Sequence, residues 1–458
     1  MKKRNTMILI VLVFIVMSII IPLSYGDDLD WGGQGGIDRL GYFFQGYNGR
    51  YIGNLVIMAI SRSLIVRVIF YTIVNSGIIL LMNKLVEYKH SSSLIFSLFL
   101  LYAIPSKIYG QTFGWYAGFA NYNVGIFLTL LTIYLVKLNK NIIFIILSAF
   151  LSQFLMENIT IFNIFASLIL IFIFKETPLY KRLSYFIFSI FGAIIMFMNP
   201  VYHAISNDAD GYRSINFDLL HQVLVKDYVN YLLVGNVVLV IALTILSLVI
   251  SNKKNSILNY FIVGYAVVIL LMRLNDLSTS RIPFSLANIL TVASFLYLLS
   301  IAVIIKKSNL SNNLSILLIF FGVSAGLILS PFLVIVPFGP RAAFTSYVFL
   351  AIVATALWDY AIEELQYKIV VNYLYVGTVS LVGFLLIIHS FNRYTMINRI
   401  TQPISKSDEE IVYTDVPFPN YGQHLSPPVS LYISPKTFKE KHNIDENTKI
   451  SFIPYEPR

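Results

Sequence analysis

The 458-residue chain is 57% hydrophobic and 12% charged, with a mean hydropathy of +0.74, which excludes a soluble enzyme and predicts one membrane-embedded body. Its 33 basic and 23 acidic residues leave a charge of +10, but the excess is scattered between apolar runs and forms no stripe, which excludes a nucleic-acid partner. With no cysteine present, disulfide frameworks, thiol nucleophiles and thiolate metal sites are excluded as well.

A helix needs roughly 20 apolar residues to cross the hydrocarbon layer, where the backbone must satisfy its own hydrogen bonds. Apolar runs lie near residues 7–24, 64–83, 93–105, 122–136, 142–156, 159–174, 184–198, 231–250, 257–272, 284–305, 314–332, 343–357 and 369–389. They predict an all-α polytopic protein of about thirteen spans, eleven to fourteen allowing for the short runs. Lys2, Lys3 and Arg4 precede the first run, and alternate turns carry Lys84, Lys89, Lys137, Lys140, Lys175, Lys181, Lys253, Lys306 and Lys368. The positive-inside rule then puts the amino terminus in the cytoplasm. Read as a signal peptide, the first run has small residues at Ser24 and Gly26, but its apolar stretch is longer than the usual signal core.

The opposite turns carry mostly arginine: Arg39, Arg50, Arg62, Arg67, Arg213, Arg273, Arg281 and Arg341. Lysine is a hydrated point charge suited to setting topology, whereas the guanidinium fork matches phosphate oxygens. The outer face is therefore expected to meet a phosphate, with pairing to outer acids or lipid head groups as the plainer alternative for any single arginine.

The first outer loop reads Tyr25-Gly26-Asp27-Asp28-Leu29-Asp30-Trp31 and continues, glycine-rich, to Asn48-Gly49-Arg50. Three carboxylates in four residues repel one another and need a proton, a cation or a hydroxyl donor. Asp28 or Asp27 suits a general base against an acceptor hydroxyl. The triplet also suits a divalent cation, Mg²⁺ or Mn²⁺, as the candidate cofactor. A solvated acidic loop is the plainer alternative. The second outer stretch, Gln111 to Asn123, alternates aromatics with small and amide residues, so Trp115, Tyr116, Asn121 and Tyr122 suit a sugar ring or a membrane interface equally. Glu157 and Asn158 occupy a tight turn between apolar runs, where a carboxylate calls for a partner or a purpose. Six histidines show no i, i+4 pairing, so no zinc site is expected. There is no Walker, Rossmann or Gly-x-Ser-x-Gly signature.

After about Phe391 the character changes: the last 68 residues hold 16 of the 56 charges and 8 of the 16 prolines. This predicts a division into a membrane domain, 1–390, with a catalytic loop and juxtamembrane helices at 25–63, and an extracytoplasmic α+β or irregular tail, 391–458. Ile411, Val412, Tyr413, Val429, Leu431, Tyr432, Ile433, Ile450, Phe452 and Ile453 offer that tail a small core.

Tyr25-Gly26-Asp27-Asp28 after the first helix, Asn48-Gly49-Arg50, Gly118-Phe119-Ala120-Asn121-Tyr122, Glu157-Asn158 and Pro340-Arg341, in this order and on one predicted side, resemble the GT-C superfamily of membrane glycosyltransferases. More narrowly the chain resembles the bacterial glucosyltransferase-like branch that decorates surface glycans, over most of residues 1–390. The resemblance implies inverting transfer of a sugar from a polyprenyl-phosphate donor, with an acid of the first outer loop at the centre. Asp28 is the first choice, with Asp27 and Asp30 as alternatives. The middle loop departs from the pattern, reading Met198-Asn199-Pro200-Val201-Tyr202 where relatives are rich in Pro, Gly and Asn, which weakens any role for Arg213. On this reading Arg50, Arg281 or Arg341 meets the lipid phosphate, and Asp27, Asp30 or Glu157 steadies the sugar or the acceptor, a surface glycan or teichoic-acid-like polymer. The setting is the bacterial cytoplasmic membrane, with the chain in direct contact with the bilayer. The rival expectations are a transporter or flippase for a lipid-linked sugar, a glycan polymerase, and a noncatalytic wall-assembly scaffold.

Overall fold

The structure, a computed structural model, describes residues 3–204, 214–251, 256–365, 368–401, 404–407, 410–425, 439, 444–445 and 447–453. Arg213 and the expected tail-core residues Val429, Leu431, Tyr432 and Ile433 lie outside these.

Helix α1 (Lys3–Ile20) leads into two short helices, α2 (Asp27–Gly32) and α3 (Gln34–Gly41), and then α4 (Tyr51–Arg62) and α5 (Leu64–Leu85). Next come α6 (Ser92–Tyr102), α7 (Ser106–Gly110) and α8 (Tyr116–Gly118), the last running through a π-helical turn into α9 (Val124–Lys137). The chain continues with α10 (Ile142–Leu151), α11 (Glu157–Ile173), α12 (Leu179–Phe197), α13 (Val201–Ala204) and α14 (Leu220–Val223). The remaining helices are α15 (Val237–Ile250), α16 (Ser256–Leu274), α17 (Phe284–Lys307), α18 (Asn312–Leu327), α19 (Ala343–Leu365) and α20 (Lys368–Thr401).

Among the described residues nine helices are long and apolar enough to cross a membrane, or ten if the pair Leu220–Val234 and Val237–Ile250, bent by 59°, is one span. The runs at 93–105, 142–156 and 159–174 form the shorter helices α6, α10 and α11. By length and composition nine or ten of the expected thirteen spans are supported among the described residues.

The hydrophobic effect does not separate apolar helices from lipid tails, so close packing and buried polar contacts order the bundle. Helix α19 is its axis, with its whole apolar window buried against α18, α15 and α6. Small residues at Ala351, Ala354 and Ala356 let neighbours approach between the bulkier Phe344, Tyr347 and Phe349. A polar thread fixes its register: Asp359 accepts from the Ser93 hydroxyl at 2.5 Å and from the backbone N–H groups of Lys89 and His90 at 2.7 and 2.8 Å. Ser97 lies 2.8 Å from the Asn83 amide and 3.1 Å from Thr355. At the periphery α20 has only 17% of its window buried and leaves Tyr373, Val376 and Val379 exposed, as a lipid-facing helix should.

The lysine-bearing turns share one face. Lys3 donates to Tyr88 O at 3.0 Å, Lys137 to Leu85 O and to Glu87 at 2.7 Å, Lys181 to Lys140 O at 2.8 Å, and Lys89 to Glu363 at 2.7 Å. Arg50, Glu157 and Tyr202 meet elsewhere, at the other ends of α11 and α12.

Two features concern the tail. Helix α20 continues to Thr401, past residue 390, and takes in only Arg393 and Arg399 of the tail's charges; the other charges and all its prolines follow the helix. Beyond it, β1 (Ile404–Ser407) pairs antiparallel with β2 (Glu410–Thr414), which pairs parallel with β3 (Lys449–Ile453), placing Ile411 opposite Ile450. Nor is residues 415–425 a separate appendage. Tyr25, Met396, Val416 and Leu425 form a small buried cluster, and Asn392 exchanges hydrogen bonds of 2.9 and 3.0 Å with Phe418. The strap lies so close to α7 that a Cβ on Gly114 would sit 2.0 Å from Tyr421 O, and one on Gly110 2.3 Å from Asn420 O. Glycine is required there by sheer proximity.

Candidate functional site

The aspartate triplet forms the first turn of α2. Successive residues of a helix point about 100° apart, so the three side chains diverge. Asp30 turns to Arg39 at 2.5 Å, whose guanidinium also stands 4.7 Å from the ring centres of Trp31 and Tyr47. Asp28 turns inward and is fully buried. Its Oδ2 accepts from the backbone N–H of Ser24 at 2.9 Å and its Oδ1 from that of Ala117 at 2.8 Å. Burial pushes its carboxyl up to about 7, against the lowering effect of those bonds. Buried and bonded to two backbone amides, Asp28 fastens α2 to α8 and presents no open face to an acceptor hydroxyl, a setting that does not favour the expected role as base.

Asp27 turns the third way, toward His424 and Arg341. Its carboxylate makes no hydrogen bond among the described residues and stands in the field of His424 and Arg341. Burial raises its pKa above the ordinary carboxylate range, while His424 and then Arg341 pull it back. His424 is lowered by burial and, to a lesser degree, raised by Asp27. Around them the contacts are aromatic and amide. The His424 ring meets Trp115 edge-on at 5.7 Å, and the Arg341 guanidinium lies over Trp115, 5.6 Å from its centroid. Gln111 accepts from the Arg341 backbone N–H at 3.3 Å and donates to Gln423 at 3.4 Å. The backbone N–H of Tyr25 donates to His424 O at 3.1 Å. Trp115 is 6% exposed, and its indole N–H has no hydrogen-bond partner among the described residues. A buried donor left unmade is costly, so this one calls for an oxygen acceptor, from water or from a ligand.

A second cluster lies at the start of α4 and α11. Arg50 donates to Glu157 through Nε and Nη2, both at 2.9 Å. Tyr202 donates to Glu157 at 2.8 Å and accepts from the Gly49 N–H at 3.2 Å. Burial works against the Arg50 charge, but the Glu157 carboxylate outweighs it and holds the guanidinium protonated. Arg50 and Glu157, expected at the phosphate and at the sugar, are thus mutual partners.

The other expected residues separate. Arg281 pairs with Asp276 on an exposed turn, outside the charges that act on Asp27. Tyr116 is fully buried and donates to Ser18 O at 2.8 Å, so it belongs to the packing of α1 and not to a sugar surface. Tyr122 is buried within the field of Arg50. Asn121 donates to Ala117 O at 2.8 Å while its Oδ1 is buried without a partner among the described residues. Arg62 and Arg67 cap backbone carbonyls: Arg62 bonds Gly32 O and Gly33 O, and Arg67 bonds Ile60 O.

The aspartates expected to share a Mg²⁺ or Mn²⁺ ion diverge, Asp30 toward Arg39 and Asp28 into the interior. Among the described residues no group of three or more His, Asp or Glu side chains could hold a metal ion. Two participants were absent from the expectation: His424, considered in the sequence only for zinc pairing, and Gln423. Neither carries a local signal, because their position depends on the strap folding back across hundreds of residues. A cavity of about 1090 Å³ is present, but it opens among the lysine-bearing turns and is lined by none of these groups. The divergent chemistry of Asp27, Arg341, His424 and Trp115 singles out the opposite face, because a void reports space and not reactivity. No protein-family model, curated protein or solved structure matches the chain.

Proposed function

We propose that the protein is a GT-C-type membrane glycosyltransferase that moves a sugar from a polyprenyl-phosphate donor to a surface glycan or wall polymer, with inversion, at the outer face of the bacterial cytoplasmic membrane. The observation that carries the reading is the half-buried junction of Asp27, Arg341 and His424 beside the buried, unpartnered Trp115 N–H. It combines a base, a cation for a phosphate and a donor for a sugar or phosphate oxygen. In the step envisaged, the Asp27 carboxylate takes the proton of the acceptor hydroxyl as its oxygen bonds C1. The bond from C1 to the phosphate oxygen breaks, and the polyprenyl phosphate leaves with the electron pair, its charge met by Arg341.

Thirteen crossings, with α6, α10 and α11 as short spans, suit the contacts. The turns at Lys137 and Lys175 line one cavity, while Glu157 between them joins Arg50 at the far end. The amino terminus then lies in the cytoplasm and the strap outside.

The test is complementation of a deletion strain followed by mass spectrometry of its surface glycans. Asp27→Asn should reach the membrane in normal amount and lose transfer by about 10²-fold or more, the usual contribution of a general base. Transfer that survives in Asp27→Asn, or lipid-linked sugar crossing sealed vesicles without transfer, overturns the reading. Because burial raises Asp27, activity should fall on acidification at a pH above the ordinary carboxylate range. Arg341→Gln, which removes a lowering charge, should move that limb to higher pH.

A further inference from the structure

We propose that the cavity among the lysine-bearing turns is a binding site for one zwitterionic phospholipid of the primary-amine type, held by its head group. This inference is independent of the transferase reading and uses only the membrane setting. The cavity's volume, about 1090 Å³, reaches the upper end of the roughly 300–1,000 Å³ common for ligand sites. Its wall from α11 is apolar and open: Leu168, Ile169 and Phe172 are 43%, 37% and 66% exposed. Such a wall at the end of a membrane helix faces acyl chains, which selects an amphiphile over a soluble metabolite.

The charged lining selects the head group. Three lysines meet four acids around the cavity, so an anionic head would enter a ring with no surplus of positive charge. Most of these groups are already matched. Lys89 bonds Glu363, Lys137 bonds Glu87, and Asp359 accepts from Ser93 and two backbone N–H groups. Lys175 and Glu176 remain, adjacent, exposed and without a partner among the described residues. One cation and one anion side by side complement a phosphate and an ammonium on the same head group.

The experiment is native mass spectrometry of the full chain, purified in mild detergent and offered an equimolar mixture of phosphatidylethanolamine and phosphatidylglycerol with matched acyl chains. The wild type should retain one phosphatidylethanolamine in preference by about fivefold, the scale expected for two partly exposed ion contacts. The double variant Lys175→Gln with Glu176→Gln, whose exposed positions leave the fold alone, should bring the two lipids to parity. Ile169→Trp, which narrows the cavity's apolar wall, should weaken retention of the lipid, while Ile187→Trp on the exposed face of α12 should not. Equal retention of both lipids by the wild type, or a preference unchanged in the double glutamine variant, overturns the proposal.

Discussion

Removing the Glu157 carboxylate tests whether Arg50 and Glu157 are a structural pair or free site groups. The two side chains are 15% and 13% exposed and share a fork of two 2.9 Å contacts, with the Tyr202 hydroxyl on the same carboxylate. Glu157→Ala leaves a guanidinium in a mostly dry place. Breaking a buried pair from one side costs about 3–5 kcal/mol, and residual water access favours the lower end, about 3 kcal/mol. The Tyr202 hydroxyl loses its acceptor as well, adding about 1 kcal/mol. Arg50→Ala should cost less, since a carboxylate with Tyr202 still bonded is better satisfied. The double variant should recover part of the loss, giving a coupling energy of about 2 kcal/mol. Thermal unfolding of the purified variants in detergent, with membrane abundance beside it, measures this. Additive effects, within about 0.5 kcal/mol, or a Glu157→Ala protein of unchanged stability that fails only in transfer, would refute the structural assignment and return both residues to the reaction.

Asp28→Asn should alter the pH dependence of stability. The folded-state carboxyl titrates at about 7, above the ordinary value of 3.8, so the folded protein holds a proton that the unfolded chain releases; the stability this gives is complete below about 4 and lost as pH rises through 7. Melting temperatures of the wild type should therefore fall across that window more steeply than those of Asp28→Asn, and parallel curves would refute the burial argument. Gly114→Ala should displace the strap, because its Cβ would meet Tyr421 O at 2.0 Å. Faster proteolysis near residues 415–425 together with reduced transfer is expected, and wild-type values for both would show that the strap does not shape the site.

The helices were legible because apolar run length is a local property: residues 64–83, 284–305 and 369–389 each lie within a long helix. The lysine turns were legible for the same reason, and contacts among Lys3, Tyr88, Lys137 and Lys181 do join them on one face. Span number was less so, since composition cannot distinguish α10 and α11, short and packed on α12, from full-length crossings. Within the site, the sequence marked Asp27, Asp28 and Asp30 as a strained set, and the family resemblance ranked Asp28 first; nothing local shows that Asp28 is the one that folding buries.

By itself the sequence determined a helical membrane protein, with cations sorted by type between its turns and an acidic loop after the first helix, because hydropathy, charge and spacing act over a few residues. Tertiary structure decided which carboxylate is available. Asp28 is closed off by an amide of Ala117, 89 positions away, and Asp27 is brought beside Arg341 and a histidine from the far end of the chain. Those partners are set by the packing of α2 against α8 and of the strap against α7, and no local pattern encodes a contact between segments that only folding brings together.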